Sequence, residues 1–292
     1  MHIGIGLPAT IPGVDGATII EWARRADQGG FSSLGIIDRL VYGNYDPLIT
    51  LASAAGVTQR IRLMTTVLIG PLRNAAVLAK QAASLDALSG GRLTLGLGVG
   101  GREDDFHAVQ AGFKNRGRRL EKQIEEMKRI WSGQSLKEGL GSIGPAPVQN
   151  GGPELLIGAY TPVALQRAGR LADGYISGGV ADPEQALKLY RIVEQAWQKA
   201  GRPGRPRFVG AIYAAVGEQE VGDRAMAYIR DYYGFLGPAA DAIAQSVPTT
   251  AKAVQEKIRA FENAGAEELI LWPTVPDLDQ VERFTQLGGD FS

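Results

Sequence analysis

Short apolar runs alternate with amphipathic stretches along most of the chain. After the first run, Ile19, Ala23 and Ala26 recur at the spacing of one helical face, and Gly29 and Gly30 end the pattern. The alternation continues through eight apolar runs, each followed by a helical stretch. The predicted strands are residues 3–7, 33–37, 61–69, 93–97, 154–158, 174–177, 207–216 and 268–272.

Capping residues set the predicted helix boundaries. Asp15 is a predicted N-cap, and Asp46 is another, with Pro47 at the first helical position. The predicted helices are residues 16–28, 46–56, 75–88, 117–131, 162–171, 182–200, 220–244, 251–264 and 278–286.

Eight strand-then-helix units predict an α/β fold with a parallel sheet and crossover helices. The number of units favours a (β/α)8 TIM barrel, with an open doubly wound sheet as the alternative. Insertions are expected after strand four, in the polar segment 98–115, and after strand seven. Residues 139–152 are rich in glycine and proline and predict a long surface loop. This loop, the segment 98–115 and the region after strand seven are expected to supply the substrate pocket. The whole chain, residues 1–292, is expected to form a single domain.

Composition narrows the classes of function. The 292 residues include 31 Lys+Arg and 31 Asp+Glu, so the net charge is zero and neither nucleic acid nor an anionic membrane is an expected partner. The chain has no cysteine, which excludes disulfides, thiolate metal sites and cysteine nucleophiles. No apolar run of about 18 residues and no leader-like start occurs, so a cytoplasmic protein without a membrane span is expected.

Candidate chemistry lies after the predicted strands, because (β/α)8 barrels place reacting groups at the carboxyl ends of their strands. Residues 158–161 come between strand five and a helix that opens with Pro162, and Thr161 is expected to cap that helix. Free N–H groups at such a helix start can bind a phosphate. A plain turn between strand and helix is the alternative, and the segment on its own favours that alternative.

Other candidate sites are weaker. The glycines at 96, 98, 100 and 101 resemble a dinucleotide fingerprint only loosely, because no helix is predicted directly after them. Glu103, Asp104 and Asp105 with His107 are expected to form a solvated loop face, so no metal site is predicted. The aromatic residues after strand seven indicate either an apolar substrate pocket or helix and subunit packing: they are Tyr228, Tyr232, Tyr233 and Phe235.

Three segments together resemble the luciferase-like flavin oxidoreductases. The most specific is IRLMTTVLIGPLRNAAVLAKQAASLDALSGGRLTLGLGVGG at residues 61–101. The others are GREDDFHAVQAGFKNRGRRLEKQIEEMKRIW at 101–131 and PELLIGAYTPVALQRAGRLADGYIS at 153–177. The resemblance covers nearly the whole chain.

The resemblance implies a barrel, usually dimeric, that binds reduced FMN or the 8-hydroxy-5-deazaflavin coenzyme F420. It implies a non-prolyl cis peptide between Thr66 and Val67 that backs the ring, and it places Gly98 and Val99 near the ring. The implied phosphate-binding residues are Gly158, Ala159, Tyr160 and Thr161, which agrees with the helix start described above.

One position departs from the pattern of the family. Many relatives have histidine after strand two, whereas this chain has Asp38 followed by Arg39. Arginine cannot act as a base near neutral pH, so Arg39 is expected to hold an anionic reduced ring or an anionic substrate. Asp38 is the candidate for orienting groups or transferring a proton. The reactive cysteine of some luciferase-like monooxygenases is also absent, and both departures weigh against a luciferase-type reaction on an aldehyde.

The first functional hypothesis is an FMN-dependent monooxygenase that acts on a small organic substrate and receives reduced flavin from a separate reductase. The second is an F420-dependent reductase or dehydrogenase that transfers hydride. A non-catalytic flavin-binding barrel that serves as a partner subunit is a hypothesis from another class. A metal-dependent hydrolase is disfavoured, because the sequence has no clustered metal ligands.

Overall fold

The computed structural model describes residues 1–179 and 182–287. Eight parallel strands close into a barrel in which each strand pairs with the next along the chain and the last pairs with the first. This confirms the predicted (β/α)8 barrel over the open sheet. The strands are β1 (His2–Gly6), β2 (Ser33–Ile36), β3 (Arg62–Ile69), β4 (Leu93–Gly98), β5 (Glu154–Gly158), β6 (Gly174–Ile176), β7 (Arg207–Ala214) and β8 (Glu268–Pro273).

Helices surround the barrel, and local capping fixes several of their starts. Asp15 accepts a hydrogen bond from the Thr18 N–H at 2.8 Å, and Asp46 accepts from the N–H groups of Leu48 and Ile49, as predicted. The helices are α1 (Gly16–Gln28), α2 (Pro47–Ala55), α3 (Ala75–Leu88), α4 (Glu103–Ala108), α5 (Arg116–Trp131), α6 (Pro162–Leu171), α7 (Pro183–Lys199), α8 (Gln219–Tyr232), α9 (Ala239–Gln245), α10 (Ala251–Asn263) and α11 (Asp279–Thr285).

Two predicted segments differ from the structure. The segment 98–115 contains the short helix α4, although no helix was expected there. The predicted helix 220–244 is two helices, α8 and α9, because Gly237 has a φ of 59° and Pro238 follows it. Both insertions stand after strands four and seven as predicted. The second is largely helical, whereas α4 accounts for six residues of the segment 98–115.

The barrel interior is filled by large side chains that face glycines. Gly6 leaves room for Trp272, because a Cβ atom at position 6 would overlap the indole ring. Trp272 is 2% exposed and belongs to an apolar cluster with Met64, Leu156 and Ile270. Apolar packing inside the barrel therefore holds the strand ends around a closed core.

The amino ends of the strands carry a network of ion pairs. Glu268 is 1% exposed and accepts hydrogen bonds from Ser33 and Arg207. Arg207 also pairs with Glu154, and Arg62 donates to Thr94. These contacts involve residues of β2, β3, β4, β5, β7 and β8 at the end of the barrel opposite the carboxyl ends. Within the described ranges, none of the helices combines the length and apolar character of a membrane span.

Candidate active site

Two adjoining cavities open at the carboxyl ends of the strands. The first has a volume of about 360 Å³, and we call it the β5 compartment. The second has a volume of about 280 Å³, and we call it the tyrosine compartment because its lining includes Tyr160, Tyr213, Tyr232 and Tyr233. The β5 compartment is lined by Thr66, Val67, Gly98, Val99, Gly100, Gly101, Arg116, Gly158, Ala159, Tyr160, Thr161, Ala164, Ile176, Ser177 and Gly178.

The β5 compartment collects the residues that the sequence predicts to bind a cofactor. Strands β3, β4 and β5 end at this cavity, so segments far apart in the chain meet there. These eight residues all line it: Thr66, Val67, Gly98, Val99, Gly158, Ala159, Tyr160 and Thr161. Asp38 and Arg39 line the neighbouring tyrosine compartment instead.

A cis peptide bond joins Thr66 and Val67, which confirms the expected position of a non-prolyl cis bond. The pairing of β3 with β4 shifts register between Thr65 and Leu68 at the same point. Val67 lies against Gly98 and Gly158, because a Cβ at these glycines would come within 2.6 Å and 3.0 Å of its methyl groups. Small residues therefore let Val67 form a closely packed floor for the β5 compartment.

The start of α6 forms one end of the β5 compartment. Thr161 occupies the N-cap position, but its side chain makes no capping hydrogen bond, so the expected cap is wrong in this respect. Pro162 has no N–H, and the next N–H groups of a helix have no partner inside the helix. Among the described residues, the end of the cavity thus has N–H groups and a hydroxyl without hydrogen-bond partners, beside the positive end of a helix dipole.

Arg116 adds a cation to the lining of the same compartment, and the sequence analysis did not identify it. Its Nε donates to the Gly100 carbonyl at 2.9 Å, and its guanidinium lies 3.8 Å from the centre of the Phe113 ring. Its position as the first residue of α5, after a glycine-rich segment, is a sequence signal that could have singled it out. Arg116 and the start of α6 thus bring a cation and helix N–H groups into the lining of one compartment.

Asp38 is buried and fully engaged at the end of β2. Its carboxylate accepts from the Ile69 N–H at 2.8 Å and from two nitrogens of Arg73 at 2.6 Å and 3.2 Å. Arg73 also contacts Asp46 at 3.3 Å. These contacts fit the predicted orienting role of Asp38, whereas the alternative role in proton transfer has no support in them.

Arg39 is held by a carboxylate from α4. Its Nε donates to Asp105 at 3.1 Å, and Asp105 also accepts from the N–H groups of Leu40 and Val41. The expectation of a solvated loop face is wrong for Asp105, which is 1% exposed, because it satisfies the backbone of the β2 loop. Across residues 1–179 and 182–287, no group of three or more possible metal ligands occurs.

Aromatic side chains line the tyrosine compartment. Tyr232, Tyr233 and Phe235 face it from the region after β7, which favours the pocket over packing alone for these three. Tyr228 lies deeper, with its hydroxyl 2.6 Å from the Thr10 hydroxyl. Burial raises the pKa of Tyr232 to about 12, and burial also raises the pKa values of Tyr233 and Tyr228. The hydroxyls of this compartment therefore stay protonated near neutral pH.

Tyr160 lines both compartments. It follows β5, and its hydroxyl occupies the space that a Cβ at Gly178 would need. Glycine at 178 is thus required for the ring to lie across the mouth of the barrel. Tyr160 therefore belongs to the lining that the two cavities share.

A larger cavity, of about 920 Å³, lies at the amino ends of the strands. Its lining includes His2, Arg62 and Glu268 together with Gln149 and Gly152. The segment 139–152 was expected to contribute to the substrate pocket, and this expectation is wrong. Gln149 donates to the Leu93 carbonyl at the start of β4, so the loop lies at the end of the barrel opposite the candidate site.

The family model for luciferase-like monooxygenases matches residues 1–290. The chain belongs to this family. Its members are oxidoreductases, and flavin and deazaflavin cofactors both occur among the proteins to which the chain is similar.

One sequence relative is an F420-dependent glucose-6-phosphate dehydrogenase from Kribbella flavida. It is 30% identical over 223 residues, which are 69% of this chain and 65% of the relative. The chain thus matches just under two thirds of the length of that protein. The glucose-6-phosphate substrate and the F420 cofactor are properties of that relative.

Solved structures show the same fold across the whole chain. The monooxygenase RslO1 from Streptomyces bottropensis has a TM-score of 0.80 at 21% identity, covering 98% of this chain and 97% of its own. The oxygenating constituent of 3,6-diketocamphane monooxygenase from Pseudomonas putida, in complex with FMN, has a TM-score of 0.75 at 20% identity. It covers 98% of this chain and 96% of its own.

Proposed function

We propose that this protein is an FMN-dependent monooxygenase that uses reduced flavin and O₂ on a small organic substrate. The observation that carries the proposal is the β5 compartment, which has a cation and helix N–H groups in its lining and opens beside an aromatic cavity. The flavin would lie in the β5 compartment, and the substrate in the tyrosine compartment. Asp38 and Arg39 would position groups at the junction of the two.

The residues present fit a phosphorylated flavin. The start of α6 at Thr161 and the guanidinium of Arg116 would hold the phosphate. Val67, which packs closely against Gly98 and Gly158, would support the flat ring. Reduced flavin, when bound, supplies the electrons for oxygen activation.

The protein's own groups favour oxygenation over the oxidation of an alcohol. Removing hydride from an alcohol also requires a group that accepts the hydroxyl proton. Among the described residues lining the tyrosine compartment, the carboxylates are Asp38 and Asp105, and both are ion-paired. The aromatic lining excludes water from the substrate.

An F420-dependent reductase is the second candidate. The similarity to the Kribbella flavida dehydrogenase favours F420 as the cofactor. Reducing a substrate requires a proton donor, and the protonated hydroxyl of Tyr232 fits that role. Deazaflavin carries hydride and reacts poorly with O₂, so the two candidates differ in their use of oxygen.

Titrating the protein with FMN and with F420 tests the choice of cofactor. We expect FMN fluorescence to be quenched with a Kd in the micromolar range, which corresponds to about 8 kcal/mol of binding free energy, and F420 to bind more weakly. Oxygen consumption by the protein with chemically reduced FMN is then measured over a set of organic substrates. Tight F420 binding without FMN binding would establish the reductase instead. FMN binding without oxygenation of any substrate would favour a non-catalytic partner subunit.

Arg116→Met is expected to weaken FMN binding about tenfold or more, because it removes a charge-assisted hydrogen bond to the phosphate. Riboflavin has no phosphate, and its affinity should stay within about twofold by the same reasoning. The measurement is fluorescence quenching with both ligands. Arg118→Met, on the exposed face of α5, is the matched control and should change neither affinity. Equal losses for FMN and riboflavin would contradict the phosphate site.

The assembly and the supply of electrons are further parts of the proposal. We propose a homodimer that receives reduced FMN from a separate reductase. Sedimentation velocity of the purified protein measures the first part. Oxygen uptake with and without an added flavin reductase measures the second.

A further inference from the structure

Four tyrosines form a continuous series of ring contacts that begins in the tyrosine compartment. We call this series the tyrosine relay, and in order it consists of Tyr213, Tyr233, Tyr232 and Tyr42. The centres of successive rings lie 5.9 Å, 5.0 Å and 5.4 Å apart, with interplanar angles of 85°, 81° and 87°. These values are typical of aromatic pairs that meet edge to face, so each ring is in direct contact with the next.

The relay runs from the cavity to the protein surface. Tyr213 is 4% exposed, and it lines the tyrosine compartment together with Tyr232 and Tyr233. Tyr42 belongs to the β2 loop and packs against Tyr232 at the other end of the series. Its hydroxyl donates to the carboxylate of Asp231, an exposed residue, at 2.8 Å. The rings therefore connect the cavity to a charged group in contact with solvent.

The hydroxyl groups of the relay differ in their ability to release a proton. Those of Tyr213 and Tyr233 share a hydrogen bond at 3.1 Å, and a neutral hydroxyl is a poor acceptor for a whole proton. Burial raises the pKa values of these two tyrosines, so their protons are held firmly near neutral pH. The hydroxyl of Tyr42 instead faces a carboxylate, which can accept its proton.

The charges around Tyr42 couple the loss of an electron to the loss of this proton. Removing one electron from a tyrosine ring leaves a radical cation, and the guanidinium carbon of Arg39 lies 5.6 Å from the centre of the Tyr42 ring. Like charges at this separation repel each other, so the oxidised ring is stable only once its proton has left. Asp231 takes that proton and leaves a neutral radical. Tyr42 is therefore the ring of the relay at which a radical is most stable.

We propose that the tyrosine relay removes one-electron oxidants from the tyrosine compartment. An oxidising radical in the cavity, for example a peroxyl radical, takes one electron from the relay and, with a proton from solvent, becomes a hydroperoxide. Electrons move inward from ring to ring, the O–H bond of Tyr42 breaks, and its proton passes to Asp231. A reductant in solution, for example ascorbate, then returns one electron and one proton to Tyr42. The relay thereby protects the other side chains of the cavity, a role that goes beyond the proposed function and needs no bound cofactor.

A photosensitiser fixed at the cavity end of the relay tests this proposal without flavin or oxygen. The chain has no cysteine, so a ruthenium tris-bipyridine complex can be attached at a single position through Phe235→Cys. Phe235 is 53% exposed, and its ring stacks on Tyr233. A flash of light with hexaammineruthenium as the electron acceptor converts the complex into a one-electron oxidant. Transient absorbance and electron paramagnetic resonance then follow the tyrosyl radical.

We expect the radical to form at Tyr42, which is identified by the loss of its signal in Tyr42→Phe. Tyr232→Phe interrupts the relay with a ring that is harder to oxidise, and it should slow the appearance of this radical about tenfold or more. Asp231→Asn keeps a hydrogen-bonding side chain but removes the proton acceptor, and it should lower the yield about tenfold. Tyr45→Phe is the matched control, because Tyr45 is 43% exposed and lies outside the relay, and it should change neither quantity.

The position of the photosensitiser provides a second control. Leu88 is 80% exposed and ends α3, which places it at the amino ends of the strands. The same complex attached through Leu88→Cys is expected to give no radical at Tyr42. In the protein labelled at position 235, deuterium oxide should slow the appearance of the radical, since a proton leaves with the electron. This comparison requires no substitution within the relay.

Three results would overturn the proposal: a radical that stays at Tyr233, an unchanged rate in Tyr232→Phe, or an unchanged yield in Asp231→Asn. Circular dichroism of each variant shows that it is folded. Titration of the unlabelled protein with FMN and F420 tests the proposed function separately. Cofactor binding without a radical at Tyr42 rejects this inference alone, and a radical at Tyr42 without cofactor binding rejects the proposed function alone.

Discussion

Asp105→Ala is expected to lower the free energy of unfolding by about 3–5 kcal/mol, the usual cost of removing one partner of a buried ion pair. Asp105 is 1% exposed, and its loss leaves the guanidinium of Arg39 without its closest carboxylate. It also leaves the N–H groups of Leu40 and Val41 without acceptors. Urea unfolding followed by circular dichroism measures the change.

Asp104→Ala is the matched control for this prediction. Asp104 is the preceding residue and its side chain is 39% exposed. It pairs with Arg102 at 3.0 Å and, at the longer distance of 3.6 Å, with Arg39. Exposed pairs contribute less than about 1 kcal/mol, so little change is expected. Asp105→Asn keeps the oxygen acceptor and should fall between the two variants. Equal free energies of unfolding for Asp104→Ala and Asp105→Ala would contradict the prediction, because the buried contacts of Asp105 would then add no stability.

Alkaline pH is expected to destabilise the protein steeply. Burial raises the pKa of Tyr232 to about 12 from an ordinary value of 10.0. The unfolded chain therefore loses this proton first, so the stability is complete below pH 10 and is lost as the pH rises towards 12. Two pH units correspond to about 3 kcal/mol for this group alone. Tyr213 and Tyr228, whose pKa values are raised further, extend the loss to higher pH.

The free energy of unfolding in urea, measured from about pH 8 to about pH 11.5, tests this expectation. Tyr232→Phe should make the decline above pH 10 shallower, by up to about 1.4 kcal/mol per pH unit. Tyr45→Phe removes a hydroxyl from a residue that is 43% exposed and should leave the slope unchanged. The ultraviolet absorbance of tyrosinate, recorded on the folded protein, would contradict the prediction if it rose fully by about pH 10.5.

Local patterns determine most of the barrel. The predicted bounds of β5, α3 and α6 agree with the structure residue by residue, because apolar periodicity and capping residues act within a few positions. The helix break before α9 was not predicted, because apolar residues keep a helical spacing on both sides of the glycine and proline that interrupt the helix. The cis bond at Thr66 was available only through the family resemblance, because no local pattern marks it.

The contacts of the site residues could not be predicted from a single sequence. Asp38 and Arg73 are separated by 35 positions, and Arg39 and Asp105 by 66. The sequence does not distinguish charged residues on exposed faces from those on buried faces. Asp105 was therefore predicted to be exposed to solvent. Arg116 follows a glycine-rich segment, which is a signal in the sequence, but its location in the cavity depends on the direction in which α5 approaches the barrel.

Binding of the β2 loop by α4 has a consequence for the exchange of loops between related proteins. Leu40 and Val41 depend on a carboxylate that belongs to a different β/α unit, since Asp105 follows β4. A chimaera that receives a foreign β2 loop of another conformation would leave the buried carboxylate of Asp105 without these two N–H donors. The β2 loop and α4 should therefore be exchanged together. Substitutions in one of these segments should change the effect on stability of substitutions in the other.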